Sequence, residues 1–321
     1  MKISLVMPYL MNPKVLFVRS GNKGQHPITQ NQGDSLVDIG CEVHYFDVVG
    51  KGFLGYLRNI PRLRSQLKSL KPQVIHAHYS LCGFLATICF FRIPIVVSLM
   101  GSDVLTAKSG YRFLIKCVGW LFWKGMIVKS KEMHERLGFK QALILPNGVN
   151  RSDFYSIDKA RAREILGWPL IGKVVLFASD PRRSEKNYEL FKTAVDGLRA
   201  KGIDIMERHL FELTKEEMLL YYNAANLLVL TSHHEGSPNV IKEAMFCNCP
   251  FVSVNVGDVK QWIEVTKGNA LVESKAEPLM SEMEKVLNQG TSPENEKACE
   301  ILDAKKIAHQ LKQLYIRLMV D

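Results

Sequence analysis

Apolar and polar positions fall into blocks along this chain, and the block from 226 to 256 shows the plan most plainly. Asn226-Leu-Leu-Val-Leu230 has the length and branching of a buried strand, as has Pro250-Phe-Val-Ser-Val254. Between them a polar loop, His233-His-Glu-Gly236, runs into a segment with helical spacing. Ser237 is placed to cap that helix, and Pro238 suits its first position, where a missing N–H is not needed. Strand, loop, capped helix, strand is a βαβ unit, and such units bind ligands at the carboxyl ends of their strands.

The same rhythm extends in both directions. Residues 15–18 read as the first strand because they lead directly into a glycine loop, Ser20-Gly-Asn-Lys-Gly24. Residues 1–12 then stand outside the fold as an extension, with the start codon set too early. A helix at 31–39 and strands at 42–46, 72–78 and 94–99 follow, then two short strands at 128–130 and 142–145. Beyond 150 the pattern predicts a short helix at 161–167, a strand at 173–178, a helix at 214–225 capped by Thr214, and a closing helix at 305–319. No repeat or low-complexity segment interrupts this. The fold class is therefore α/β. Domains are expected at 1–148 and 149–302, with 303–321 crossing back toward the first, and 321 residues suit two cores.

The charge is +10 and the pI about 9.2, which implies an anionic partner: nucleic acid, an anionic membrane face or a phosphorylated substrate. No nucleic-acid-binding motif is present, so nucleic acid is not expected. Seven cysteines at irregular spacing read as reduced thiols, hence a cytoplasmic location, and Cys247-Asn-Cys249 reads as packing. The most apolar region, 82–100, is broken by Arg92 and Pro94 and is no membrane span. The apolar run at the N-terminus is broken by Pro8, so a signal peptide is not expected. Two stretches bear on a membrane surface. Residues 51–71 place leucines at helical spacing among charges that are all basic, which fits a helix on anionic lipid and equally one packed on a sheet. Residues 111–128, with Trp120, Phe122 and Trp123 among Arg112, Lys116 and Lys124, fit an interfacial membrane face but read more readily as a core-packed helix.

Candidate chemistry gathers at the predicted strand ends. Glu235 and Glu243 flank a helix start whose backbone N–H groups at Asn239 and Val240, with the positive end of the dipole, make an anion site. An acid on each side of such a site suits a ligand with phosphate in the middle and hydroxyls at both ends, as in a nucleotide sugar. The plainer alternative is a solvated loop acid and a polar helix face. A cationic loop, Ser179-Asp-Pro-Arg-Arg-Ser-Glu-Lys186, follows the strand at 173–178 and would neutralise a diphosphate. Strand alternation puts His76 and His78 on one side, without a third metal ligand nearby.

The phrase Glu235-Gly-Ser-Pro-Asn-Val-Ile-Lys-Glu243-Ala-Met resembles the E-x7-E pattern of retaining glycosyltransferases, specifically glycosyltransferase family 4. Pro146-Asn-Gly-Val-Asn150 resembles that family's crossing between domains, and the resemblance runs from Lys14 onward. It implies the GT-B fold, two Rossmann-like domains facing each other across a cleft. The activity it implies is transfer of a sugar from a UDP- or GDP-sugar to a hydroxyl of a saccharide or lipid-linked acceptor, as in cell-surface polysaccharide or glycolipid synthesis. By the same resemblance Lys186, with Arg182 or Arg183, contacts the leaving diphosphate, and Glu243 the ribose. Glu235 then meets the sugar, Gly21 and Gly24 lie near donor and acceptor, and His78 contacts substrate at the cleft. No metal or other cofactor is expected, and the location is cytoplasmic or at the inner membrane face. The family's usual histidine is replaced here by Met100, although the following Gly-Ser-Asp103 matches. Asp103 is expected to bond a hydroxyl in the active site; its alternative is capping the next helix. Two further readings remain: a non-catalytic partner subunit of the same fold, and a nucleotide-sugar isomerising enzyme.

Overall fold

The computed structural model describes residues 12–21, 27–89, 92–290 and 292–320. The chain divides into two compact units, Met1–Gly148 with Ala304–Asp321, and Val149–Asp303. The division after the second unit thus falls behind Asp303, which accepts a hydrogen bond from Arg151 Nε at 3.0 Å and bridges Val149. The two passages of the chain between units run side by side. A Cβ on Gly148 would come 2.6 Å from the Ala304 Cα, so only glycine fits there.

In the first unit β1 (Lys14–Ser20), α1 (Pro27–Asp38), β2 (Glu42–Val48), α2 (Gly52–Leu57) and α3 (Ile60–Leu70) lead to β3 (Val74–His78). Then come α4 (Ser80–Cys89), β4 (Ile95–Ser98), α5 (Ser102–Leu105), α6 (Ser109–Phe122), β5 (Gly125–Val128), α7 (Lys131–Leu137) and β6 (Leu143–Ile144). The strands are parallel in the order β2-β1-β3-β4-β5-β6. Strand alternation divides the core between two faces. Leu16, Val18, Ile75, Ala77 and Val97 pack beneath α2, α3, α4 and α6. Val15, Phe17, Val74 and Val96 pack against α1 and the C-terminal helix Ala304–Val320, which supplies Ile307, Leu311 and Tyr315.

The second unit comprises α8 (Lys159–Leu166), β7 (Lys173–Phe177), α9 (Tyr188–Ala200), β8 (Ile205–His209), α10 (Lys215–Ala224) and β9 (Leu227–Leu230). It continues through α11 (Asn239–Phe246), β10 (Phe251–Val254), α12 (Val259–Ile263), β11 (Ala270–Val272), α13 (Ala276–Gln289) and α14 (Glu296–Ile301). Its parallel sheet has the order β11-β10-β9-β7-β8. The order reverses between β7 and β9, which makes the loops behind those two strands the expected ligand position. Thr214 caps α10 as its sequence suggests, with a reciprocal bond from the Thr214 N–H to Glu217.

One expectation is corrected and two are narrowed. Residues 128–130 are not a strand of their own: β5 ends at Val128, and Ser130 caps α7, its Oγ accepting from Met133 N at 3.2 Å. The basic stretch 51–71 breaks into two helices and packs on the sheet through Tyr56, Leu63 and Leu67. Most consequential, α6 packs on the core through one side only. It docks through a narrow face, burying Ile115 and Gly119, and Trp123 behind it donates to Thr87 Oγ1 at 2.9 Å. A Cβ at Gly119 would meet Met126 Cε at 2.2 Å, so the contact is close but thin. Phe113, Leu114, Trp120, Leu121 and Phe122 are left exposed. No helix among the described residues is long and apolar enough to cross a membrane.

Candidate active site

The loop behind β7 and the loop behind β9 meet at the point where the sheet order reverses. Thr231, fully buried at the end of β9, donates its hydroxyl to the carbonyls of Lys186 (3.0 Å) and Asn187 (2.9 Å). The backbone N–H of His233 donates to Glu185 O at 3.0 Å. Asn187 takes a left-handed conformation, φ 53°, which turns the chain from this loop into α9. These bonds set Lys186 beside Glu235: Nζ lies 2.5 Å from Oε1, and the two side chains are 13% and 16% exposed. Ser232 Oγ donates to the same carboxylate oxygen at 2.7 Å.

The start of α11 differs from its sequence reading. Pro238 occupies the N-cap position, and Ser237 does not cap the helix. The Ser237 hydroxyl instead donates to Asp258 Oδ2 at 2.6 Å and accepts from Lys242 Nζ. Lys242 is fully buried and Asp258 nearly so. Burial holds the Lys242 pKa below its usual value, against the pull of Asp258. This lysine and aspartate tie the helix to the loop behind β10, and sequence reasoning missed both. The signal was there: a lysine between Ile241 and Ala244 on an otherwise apolar helix face needs a buried partner. Gly257 completes the join. Its φ is 59°, and a Cβ would lie 3.2 Å from the carbonyl oxygens of Glu235 and Gly236.

Glu243 lies one turn into α11 and accepts from the Tyr222 hydroxyl at 2.8 Å. Burial pushes its pKa up to about 7, with Tyr222, Lys242 and Lys215 pulling the other way. Asn239 and Val240 form the first turn, as the anion-site reading requires. The arginines are placed less favourably. Arg182 forks onto Asp180, at 3.0 Å from Oδ1, and lies over the Phe211 ring. Arg183 pairs with Glu185 at 2.6 Å. Both line an open depression of about 570 Å³ with Lys192 and His233, whose lining includes neither Lys186 nor Glu235. The structure therefore brings together Glu235, Lys186, Ser237 and the start of α11, with Glu243 farther along that helix, and leaves Arg182 and Arg183 on their own carboxylates.

In the first unit His76 and His78 end β3 side by side, their rings stacked at 4.3 Å. His76 is bonded to Tyr315 Oη at 2.6 Å and Ser98 Oγ at 2.8 Å, a packed residue. His78 is equally buried and lies 4.6 Å from the Phe17 ring, yet its Nε2 has no hydrogen-bond partner. Burial, then the neighbouring His76, holds it well below the usual histidine pKa, so it is neutral. Asp103, nearly fully buried, accepts from the backbone N–H groups of Ser80 (3.1 Å), Met100 (3.0 Å) and Gly101 (3.1 Å). Two of these amides bond Oδ1 and one bonds Oδ2, so it fixes the loops behind β3 and β4. Burial raises its pKa to about 6. Gly21 lies at the end of β1 and donates to Val48 O at 2.7 Å; Gly24 lies outside the described residues. All seven cysteines are free thiols, and no cluster of metal-ligating side chains occurs among the described residues.

Comparison with known proteins bears on the family and the fold. Residues 182–289 match the family model for glycosyl transferases group 1, and 26–130 match that for glycosyl transferase 4-like proteins. The chain is 27% identical over 220 residues to the putative teichuronic acid biosynthesis glycosyltransferase TuaC of Bacillus subtilis. That match takes in 60% of this chain and spans only 55% of the relative. Sucrose-phosphate synthase from Thermosynechococcus elongatus superposes with a TM-score of 0.75 at 19% identity, covering 97% of this chain and all of the other. Anabaena HepE, solved with UDP and glucose, superposes at 0.71 with 16% identity over 94% and 98% of the two chains. These likenesses show the two-domain GT-B fold. With both family models matched, one in each unit, the chain belongs to the group 1 glycosyltransferases of the family 4 type.

Proposed function

We propose that this protein transfers a sugar from a nucleotide-diphosphate donor, a UDP- or GDP-sugar, to a hydroxyl of a saccharide or lipid-linked acceptor, with retention at the anomeric carbon. The observation that carries this reading is the Lys186–Glu235 pair, set at the reversal point of a parallel sheet beside the start of α11. Lys186 and the helix N-terminus offer positive charge to a diphosphate, and Glu235 offers an acceptor to the sugar beside it. In this reading Glu243, on the same helix, accepts from two ribose hydroxyls. HepE, which shares the fold, has been solved with UDP-glucose, which supports a UDP-sugar as the first donor to try. TuaC is named for teichuronic acid synthesis, which supports a saccharide acceptor in cell-surface polysaccharide assembly.

In this reaction the bond between the anomeric carbon and the diphosphate oxygen breaks, and a bond to the acceptor oxygen forms on the same face. The acceptor proton passes to the departing diphosphate. Lys186 and the amides at the start of α11 stabilise the charge that develops there, an oxyanion-hole type of contribution needing no metal. The test is calorimetry with UDP and GDP on the wild type and on Glu243→Ala. Loss of hydrogen bonds from ribose to a carboxylate should weaken binding by about 1.5–3 kcal/mol, roughly ten- to a hundredfold. Equal binding by the variant, or binding of neither nucleotide, would move the non-catalytic reading suggested by Met100 to the front.

A further inference from the structure

The positive charge of this chain is not spread evenly. From residue 48 to residue 131 there are thirteen lysines and arginines and one acidic residue, Asp103, which is 1% exposed. Outside that stretch acidic and basic residues nearly balance, so the net +10 resides here. In the fold the same stretch builds α2, α3, α4 and α6, a continuous layer on one face of the first sheet. The outer surface of this layer therefore presents no carboxylate of its own.

Across that surface α6 lays an apolar stripe. Phe113, Trp120 and Leu121 recur at i, i+7 and i+8, and share one side of the helix with Leu114. They are 64%, 72%, 60% and 46% exposed respectively. Lys108, Lys116 and Lys124 flank the stripe, and among the described residues no carboxylate pairs with any of them. A tryptophan and a phenylalanine exposed to this extent on one helix are not explained by packing, because the core contact of α6 is made by its opposite side. Apolar side chains rimmed by uncompensated cations match a surface that is negatively charged outside and hydrocarbon within. A second copy of this chain would present the same cations and repel.

We infer that the α6 face of the first unit is a docking surface for an anionic lipid bilayer, with Phe113, Trp120 and Leu121 entering the interface and the flanking lysines meeting lipid headgroups. Binding holds the protein at the bilayer surface without a spanning helix. It does not depend on the donor reading of the second unit.

The test is flotation of the intact protein with vesicles of phosphatidylglycerol mixed into phosphatidylcholine, against phosphatidylcholine alone. Binding is expected only to the anionic vesicles, and about 0.5 M salt should release most of it, since the Debye length is then a few ångströms. Trp120→Ser with Leu121→Ser should weaken binding about tenfold or more, as should Lys116→Glu with Lys124→Glu. All four side chains point outward or lie at the rim, so both variants should keep the melting temperature and the UDP affinity of the wild type. Retained UDP affinity separates failure of this inference from failure of the donor reading. No flotation with anionic vesicles, or flotation unchanged in both variants, overturns the proposal. So does a dimer in sedimentation that Trp120→Ser abolishes, which would make a second copy the occupant.

Discussion

Lys186 Nζ and Glu235 Oε1 are 2.5 Å apart, so the cation proposed to receive a diphosphate is already paired with the acid proposed to receive the sugar. Arrival of a diphosphate must therefore share or displace that pairing. The consequence is a pair of substitutions with opposite signs. Lys186→Met should weaken UDP binding by roughly ten- to a hundredfold, the loss expected for a charged hydrogen bond. Glu235→Gln frees the lysine and should tighten binding of UDP about threefold to tenfold, while sugar transfer from the full donor falls steeply. Calorimetry with UDP alongside a transfer assay checks both. A Glu235→Gln variant that binds UDP more weakly would show that the pair is not where the diphosphate lands.

Glu243 gives a prediction in pH. Burial raises its pKa from 4.5 to about 7, so between those values the folded protein holds a proton that the unfolded chain has released. Stability is then greatest below about 4.5 and falls as pH rises through 7, by an amount of order 3 kcal/mol from the linkage relation. Binding runs the other way. In the proposed site the hydroxyls of a ribose donate to the carboxylate, so UDP affinity should rise from pH 6 to pH 8 with release of a proton. Both dependences should vanish in Glu243→Gln. In Tyr222→Phe the loss of the hydroxyl bond, which holds the pKa down, should move the midpoint higher. Thermal melts and calorimetry in buffers of different ionisation enthalpy report the two effects separately.

Gly257 tests the scaffold instead of the chemistry. Its φ of 59° lies in the left-handed region, and a Cβ would stand 3.1 Å from Pro238 Cδ and 3.2 Å from two carbonyls of the Glu235 loop. Gly257→Ala should cost about 1–2 kcal/mol from the backbone conformation alone, plus displacement of that loop. The expected result is a lower melting temperature together with a loss of transfer larger than that in UDP affinity. An alanine variant as active and as stable as the wild type would mean the loop absorbs the methyl without moving Glu235.

What the sequence made legible here follows from where the constraints are local. The unit around Glu235 could be read because Leu227–Leu230 and Phe251–Val254 are short apolar runs bounded by a polar loop. The strand Ile205–His209 could not, because it sits at the edge of its sheet and carries Glu207, Arg208 and His209, which erase the alternation. Ser237 looked like a cap because its position favours one, yet a buried Lys242 and Asp258 compete for its hydroxyl. Asp103 reads the same in sequence whether it faces a ligand or three amides, since those amides come from two different loops. The exposure of Trp120 was hidden for a like reason. An apolar helix face gives one pattern whether protein covers it or not.

His78 supplies the last prediction. It is buried, neutral and stacked, but its Nε2 has no partner, whereas both nitrogens of His76 beside it are bonded. A buried polar atom without a partner costs free energy, about 1–3 kcal/mol by general experience, and is retained where something else recovers the cost. If a hydroxyl of substrate completes the bond, His78→Phe keeps an aromatic ring against Phe17 and removes both imidazole nitrogens, the unmet Nε2 among them. The variant should be at least as stable as the wild type, because it loses an unsatisfied group and keeps the packing. Its transfer rate should nevertheless fall by about tenfold or more, with UDP affinity unchanged. Stability and transfer moving in opposite directions would assign the nitrogen to substrate. Unaltered transfer with raised stability would make His78 a packing residue like its neighbour.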